Sequence, residues 1–108
     1  MNTWEIWSFQ PPGWPEPHPA VIVSHPSRVA SKPEVDVVMG SSQRAQREPK
    51  PNEVILDESD GLQWQTLFKC DLIHTVLKAE LRPRRGKVTS VRRRKIIETI
   101  IGAHDWTV

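Results

Sequence analysis

Residues 19–24, Pro19-Ala20-Val21-Ile22-Val23-Ser24, form a continuous apolar run of the length and composition of a buried strand. Upstream, Trp4-Glu5-Ile6-Trp7-Ser8-Phe9 alternates bulky rings with other side chains, the pattern of a half-buried strand. Between the two, residues 10–19 hold five prolines and a glycine. Proline lacks an amide proton and fixes φ, so this stretch is a semi-rigid surface loop, with Glu16 and His18 near its far end. Downstream, residues 25–33 read as a second loop. Val35-Asp36-Val37-Val38-Met39 reads as a third strand, broken by Gly40-Ser41-Ser42. The polar residues 43–52 read as a loop. Further strands are expected over Glu53-Val54-Ile55-Leu56-Asp57, over residues 66–71, and over Ile73-His74-Thr75-Val76-Leu77.

After Gly86 the period changes. Ile96, Ile97, Ile100 and Ile101 recur at spacings of three and four, which predicts a helix with a buried stripe. Thr89 or Ser90 is placed to cap it, and Gly102 sits where it should stop. Short strands joined by loops and followed by one helix predict a small curved antiparallel sheet capped by that helix.

The 108 residues suit one domain spanning 1–108. Cys70 is the only cysteine, which excludes an intrachain disulfide and a Cys-rich metal site. The N-terminus lacks a basic segment followed by an apolar run, and no apolar run reaches the roughly 18 residues of a membrane span. A cytoplasmic location without membrane contact is expected.

The net charge of +2 hides an asymmetry. Residues 69–95 carry ten basic groups against Asp71 and Glu80, whereas residues 1–68 carry five basic and nine acidic groups. Such a block attracts polyanions, and equally serves as a solvated helix face. Arg92, Arg93, Arg94 and Lys95 lie in the first half of the predicted helix, the unfavourable end of its dipole for cations.

Four segments in this order resemble the MazF/PemK family of toxin-antitoxin ribonucleases. They are Glu5-Ile6-Trp7-Ser8-Phe9-Gln10-Pro11-Pro12; the strand starting Pro19-Ala20-Val21; Gly61-Leu62 followed by Lys69-Cys70-Asp71-Leu72-Ile73-His74-Thr75-Val76; and Leu81, Arg85, Gly86 with the helix after them. The third is similar to that family's Cys-Asp-Gln-Ile-Arg-Thr region. The resemblance implies an SH3-like half-open barrel of the CcdB/PemK type, with about five to six antiparallel strands and a C-terminal helix. It implies a homodimer, a cognate antitoxin, and cofactor-free, metal-free cleavage of single-stranded RNA by the neighbouring 2′-hydroxyl.

Such cleavage needs a base for the 2′-hydroxyl proton, an acid for the leaving 5′-oxygen, and a cation for the phosphorane. The sequence has no clustered carboxylates and no His-x-x-x-His spacing for a metal. Asp71 is the candidate base or base-orienting group, or else a structural carboxylate anchoring a turn. Lys69, two residues earlier on one strand face, is the candidate phosphate cation, where some members carry arginine. His18 stands where the family usually has the arginine of an Arg-Pro pair, so either the chemistry shifts to histidine or activity is attenuated. Ser41 and Ser42 lie where the family has a hydroxyl pair able to bond phosphate. Glu16, His74 and Trp14 are further substrate-binding candidates; the Trp14 indole, like that of Trp64, is suited to stacking on an unpaired base or to plugging an interface. The alternative function is a catalytically attenuated RNA- or protein-binding module of the same fold.

Overall fold

The computed structural model describes residues 1–42 and 47–104. In chain order it contains β1 (Glu5–Phe9), β2 (His18–Ile22), α1 (Pro26–Ser31), β3 (Glu34–Ser42), β4 (Glu53–Leu56), β5 (Thr66–Lys69), β6 (His74–Leu77), β7 (Arg82–Lys87) and α2 (Ser90–Ala103). Single 3₁₀ turns occupy Glu58–Asp60 and Lys78–Glu80. All pairings are antiparallel, in the order β4-β5-β3-β2-β1-β7, with β6 also on β3. The result is a mainly-β, curled half-barrel with a C-terminal helix.

The sheet curls at β3. One edge of this strand pairs first with β6, over residues 34–37, and then with β5, from Gly40 to Ser42. Its other edge pairs with β2. Gly40 sits at the change of partner. A Cβ there would lie 2.8 Å from the Phe68 ring and 2.9 Å from Thr66 Cγ2, so only glycine lets β5 approach so closely.

Two apolar clusters lie on the two faces of the sheet. Ile6, Val21, Val38, Leu56, Phe68 and Ile96 form one, between the sheet and α2. Phe9, Ala20, Ile22, Val35, Val37 and Val76 form the other, with Val29 of α1. Alternation along β1, β2 and β3 explains the division, since successive side chains point to opposite faces.

Several expectations need correction. Residues 26–31 are helical rather than loop; Pro26 opens the helix and His25 Nδ1 accepts a bond from Ser27 N at 3.1 Å. Only Val29 of this turn is buried, so no apolar period announced it. Arg82–Lys87 is a seventh strand that the sequence conceals, because an edge strand of arginines needs no apolar alternation. The strands expected to end at Asp57 and Asp71 stop at Leu56 and Lys69. In α2 the buried positions are Ile96 and Thr99, while Ile97 and Ile101 are 44% and 55% exposed. The helix runs through Gly102 to Ala103.

The helix start is also capped differently. Neither Thr89 nor Ser90 makes a side-chain cap; instead Asp60 Oδ1 accepts the Thr89 amide at 3.0 Å. Arg92, in the first turn of α2, donates to Asp57 Oδ1 at 2.7 Å and to Asp60 Oδ2 at 2.6 Å. The Arg92 hydrogen bonds hold the Asp57 carboxyl down at about 2, assisted by the Ser59 amide. Arg92 is therefore a structural tie, not a free cation of the basic run. Beside it the backbone crosses itself: a Cβ on Gly86 would collide with the Asp60 carbonyl oxygen, and one on Gly61 would lie 2.9 Å from Gly86 Cα. Gly61, at φ +90°, is in the left-handed region as well.

Three outcomes are expected. Arg92→Ala, which strands the buried Asp60 carboxylate, should cost about 2–3 kcal/mol in urea unfolding. Gly86→Ala should cost ~3 kcal/mol or prevent folding. Asp57 and Glu53 both have folded-state values lowered to about 2, the latter by the Arg47 hydrogen bonds. Their contribution is complete above the unfolded values near ~4 and is lost as pH falls towards 2. Unfolding midpoints measured from pH 7 to 2 should drop below ~pH 4.5, less steeply in Arg92→Ala.

Candidate functional site

The candidate residues converge on one face of β3. Ala20 lies opposite Met39 at the end of the β2–β3 ladder; His18 and Ser41, each two residues further along its own strand, share that face. On the other side of β3, Gly40 lies opposite Phe68 and Ser41 opposite Leu67. Lys69, two residues on from Leu67 in β5, shares the face of Leu67 and is diagonal to Ser41. His74 of β6 lies opposite Val37. Residues opposite each other share a face, and Val37, Met39 and Ser41 alternate onto the same one. His18, Ser41, Lys69 and His74 therefore stand on a single side of the sheet. Phe9, directly opposite His18, stands there too.

His18 is held from two directions. Its Nδ1 is 3.1 Å from the Gly40 carbonyl oxygen. A carbonyl only accepts, so Nδ1 carries the proton, and in the neutral ring Nε2 keeps its lone pair. Trp14 meets the imidazole edge-on, with ring centroids 4.7 Å apart and planes at 85°. Trp14 then walls a hollow of about 540 Å³ with Phe9, Met39, Ile73 and His74. Phe9 and Met39 were legible only as strand residues; their role as floor and wall comes from the ladder register, which one sequence does not display. Gly40 contributes its main-chain oxygen, an acceptor that no motif encodes.

Other candidates stand apart from this group. Asp71 is exposed in the turn from β5 to β6, and no hydrogen bond or ion pair joins it to Lys69, His18 or His74 among the described residues. Glu16 is exposed on the β1–β2 loop. Ser42 is paired through its backbone with Thr66, and its side chain lies outside the described part of the structure. Cys70 is fully buried; burial pushes its thiol up to about 11, with the Asp71 charge adding to the effect. It is a core residue and not a nucleophile. Among the described residues no three His, Cys, Asp or Glu side chains gather as a metal-ligand set, and no helix is long and apolar enough to cross a membrane.

The basic run is likewise dispersed. Arg92 is tied to Asp57 and Asp60, and Arg93 Nε donates to the Val88 carbonyl at 2.9 Å. Arg94 and Lys95 are exposed. In β7, Arg84 lies 3.6 Å from Glu5 Oε2, and Arg82 donates to the Ala79 carbonyl at 2.7 Å.

The sequence profile of PemK-like, MazF-like toxins of type II toxin-antitoxin systems matches residues 4–102. No protein of curated function matches significantly. Among solved structures, the chain is similar to an endoribonuclease in complex with its cognate antitoxin from a mycobacterial species, with 25% identity and a TM-score of 0.81 over 99% of both chains. It is also similar in fold to a second mycobacterial endoribonuclease, at 24% identity and TM-score 0.77 over 95% of this chain and 89% of that one. The Mycobacterium tuberculosis toxin MazF-mt6 shares the fold at 20% identity and TM-score 0.78, over 94% and 99% of the respective chains.

The His18 contact predicts a measurable protonation pattern. In long-range ¹⁵N–¹H correlation spectra, the neutral His18 ring should appear as the Nδ1–H tautomer, and Trp14→Ala should broaden or shift it. An Nε2–H pattern would contradict the bond to Gly40.

Proposed function

This chain belongs to the PemK-like, MazF-like toxins of type II toxin-antitoxin systems, and on that premise we propose that it is an endoribonuclease cleaving single-stranded RNA on the β3 face. The observation that carries the reading is the His18 ring, oriented by the Gly40 carbonyl with Nε2 available, on the sheet face that Ser41 shares. The family's activity matches a mycobacterial relative that is an endoribonuclease.

In the proposed reaction His18 Nε2 takes the 2′-hydroxyl proton, and the 2′-oxygen attacks the adjacent phosphorus. The bond to the 5′-oxygen breaks, that oxygen takes up a proton from solvent water, and a 2′,3′-cyclic phosphate remains. Ser41 donates a hydrogen bond to a phosphate oxygen. Lys69, diagonal to it, supplies positive charge to the phosphorane as a point charge. Asp71, exposed in the turn that follows β5, is the second candidate base. The hollow bounded by Trp14, Phe9 and Met39, with His74 in its lining, takes a base neighbouring the scissile phosphate. The reaction as drawn requires no metal or cofactor.

A toxin of this class is countered by a cognate antitoxin protein, and the mycobacterial relative was solved with its own. We propose the same kind of partner here, and a homodimeric toxin acting in the cytoplasm. The exposed Ile97 and Ile101 of α2 give such assembly an apolar surface to use.

The deciding experiment incubates the purified protein with a long single-stranded RNA in EDTA, from pH 6 to 8. Cleavage leaving 2′,3′-cyclic phosphate ends is expected. His18→Ala should lower the rate by roughly 10²–10⁴-fold, the usual worth of a general base. Lys69→Ala should abolish cleavage without unfolding the chain. Asp71→Asn identifies the base: a loss as large as that of His18→Ala assigns Asp71 a direct role, and full activity leaves the proton to His18. His18→Arg reports whether histidine is an attenuation, through a gain, or has its own role, through a loss. Intact RNA retarded in a salt-dependent manner would instead identify a binding module.

A further inference from the structure

The face of the sheet opposite His18 carries a second cavity, of about 370 Å³, walled by Gly61, Trp64, Thr66 and Arg85. Its place follows from strand alternation. Ser8 and Phe9 are consecutive in β1 and point to opposite faces. Phe9 lies opposite His18, whereas the Ser8 hydroxyl accepts a hydrogen bond from Arg85 Nε at 2.6 Å. The two hollows are thus separated by the thickness of the sheet.

Arg47, Arg84 and Arg92 each lie within 4 Å of a carboxylate, and the guanidinium of Arg85, which is part-buried, does not. Its only hydrogen bond among the described residues is the one to Ser8. That bond fixes the plane of the fork through Nε and leaves both Nη groups without an acceptor among the described residues. A fork held in this way matches two phosphate oxygens at once. Beside it stands Trp64, a residue 36% exposed. Thr66 donates its hydroxyl proton to the Trp64 carbonyl at 3.2 Å, which steadies the loop that carries the ring. Gly61 and Gly86 form the close backbone crossing at the cavity wall, so the cavity is framed by the most sterically constrained point of the fold. The volume lies within the ~300–1,000 Å³ of small-molecule sites.

A fixed, unneutralised guanidinium next to an accessible indole is complementary to an anion joined to a planar ring. We propose that this cavity binds a nucleotide unit, its phosphate on Arg85 and its base against Trp64, at a site distinct from the His18 face. The unit comes either from a free mononucleotide or from an RNA strand that wraps the edge of the sheet.

The test follows the indole N–H resonance of Trp64, assigned by its absence in Trp64→Phe. One arm adds uridine or adenosine 5′-monophosphate at millimolar concentration. The other adds a short all-2′-deoxy oligonucleotide, which lacks the attacking hydroxyl. A saturable shift with the mononucleotide, displaced by inorganic phosphate, identifies a free nucleotide as ligand. A shift with the oligonucleotide alone identifies the strand. Arg85→Gln, with its folding checked by thermal melting, should weaken the response about tenfold or more. Should that variant not fold, Arg85→Lys keeps the charge without the fork and should weaken it measurably. His18→Ala should leave the response intact. No response to either probe, an undiminished response in the folded Arg85 variant, or its loss in His18→Ala would each overturn the proposal.

Discussion

The C-terminal third of this chain depends on one buried carboxylate. Asp60 is 1% exposed, yet it accepts bonds from the Thr89 amide, the Arg92 guanidinium and the Asp57 amide. Through these it caps α2, anchors the first turn of that helix, and closes the 3₁₀ turn before β5. The helix dipole alone disfavours a run of cations at this end. Two aspartates reverse the balance for Arg92, because their charges sit within hydrogen-bonding distance while the dipole is spread over a turn. The same junction requires Gly61 and Gly86, since the chain of β7 passes the turn with no room for side chains.

This arrangement changes what the basic run means. Charge counting treats residues 92–95 as one patch, but the structure divides them between a salt-bridged tie, a main-chain contact and two exposed side chains. The positive groups left over lie on several surfaces. The single-sided convergence of His18, Ser41, Lys69 and His74 is a more specific signal than net charge, because it arises from register and not from composition.

Much of the architecture was legible in the sequence. The strands around Val21, Val37, Ile55, Phe68 and Val76 each bury apolar residues, and burial writes itself into composition. Elements stabilised by other means were not legible. The edge strand Arg82–Lys87 buries little, and α1 holds on by a proline, a histidine cap and Val29. The isoleucine stripe of α2 misled in part because helical spacing reports that residues share a side, not whether anything covers it. At the candidate site the residue types and their order were visible, and the resemblance supplied their grouping. The Gly40 carbonyl, the Trp14 edge contact and the second cavity were not visible, since each joins segments that are distant in the chain.

Gly40 has one more implication. The oxygen that orients His18 belongs to the main chain, at the bend where β3 exchanges β6 for β5. A main-chain acceptor persists under mutation of every side chain around it, so long as the bend survives. Evolution can therefore redesign the loop residues that select a substrate without disturbing the tautomer of the ring. The glycine itself has no such freedom, because any side chain there meets Phe68 and Thr66. Adaptability of the rim and rigidity of the corner are two faces of the same peptide unit.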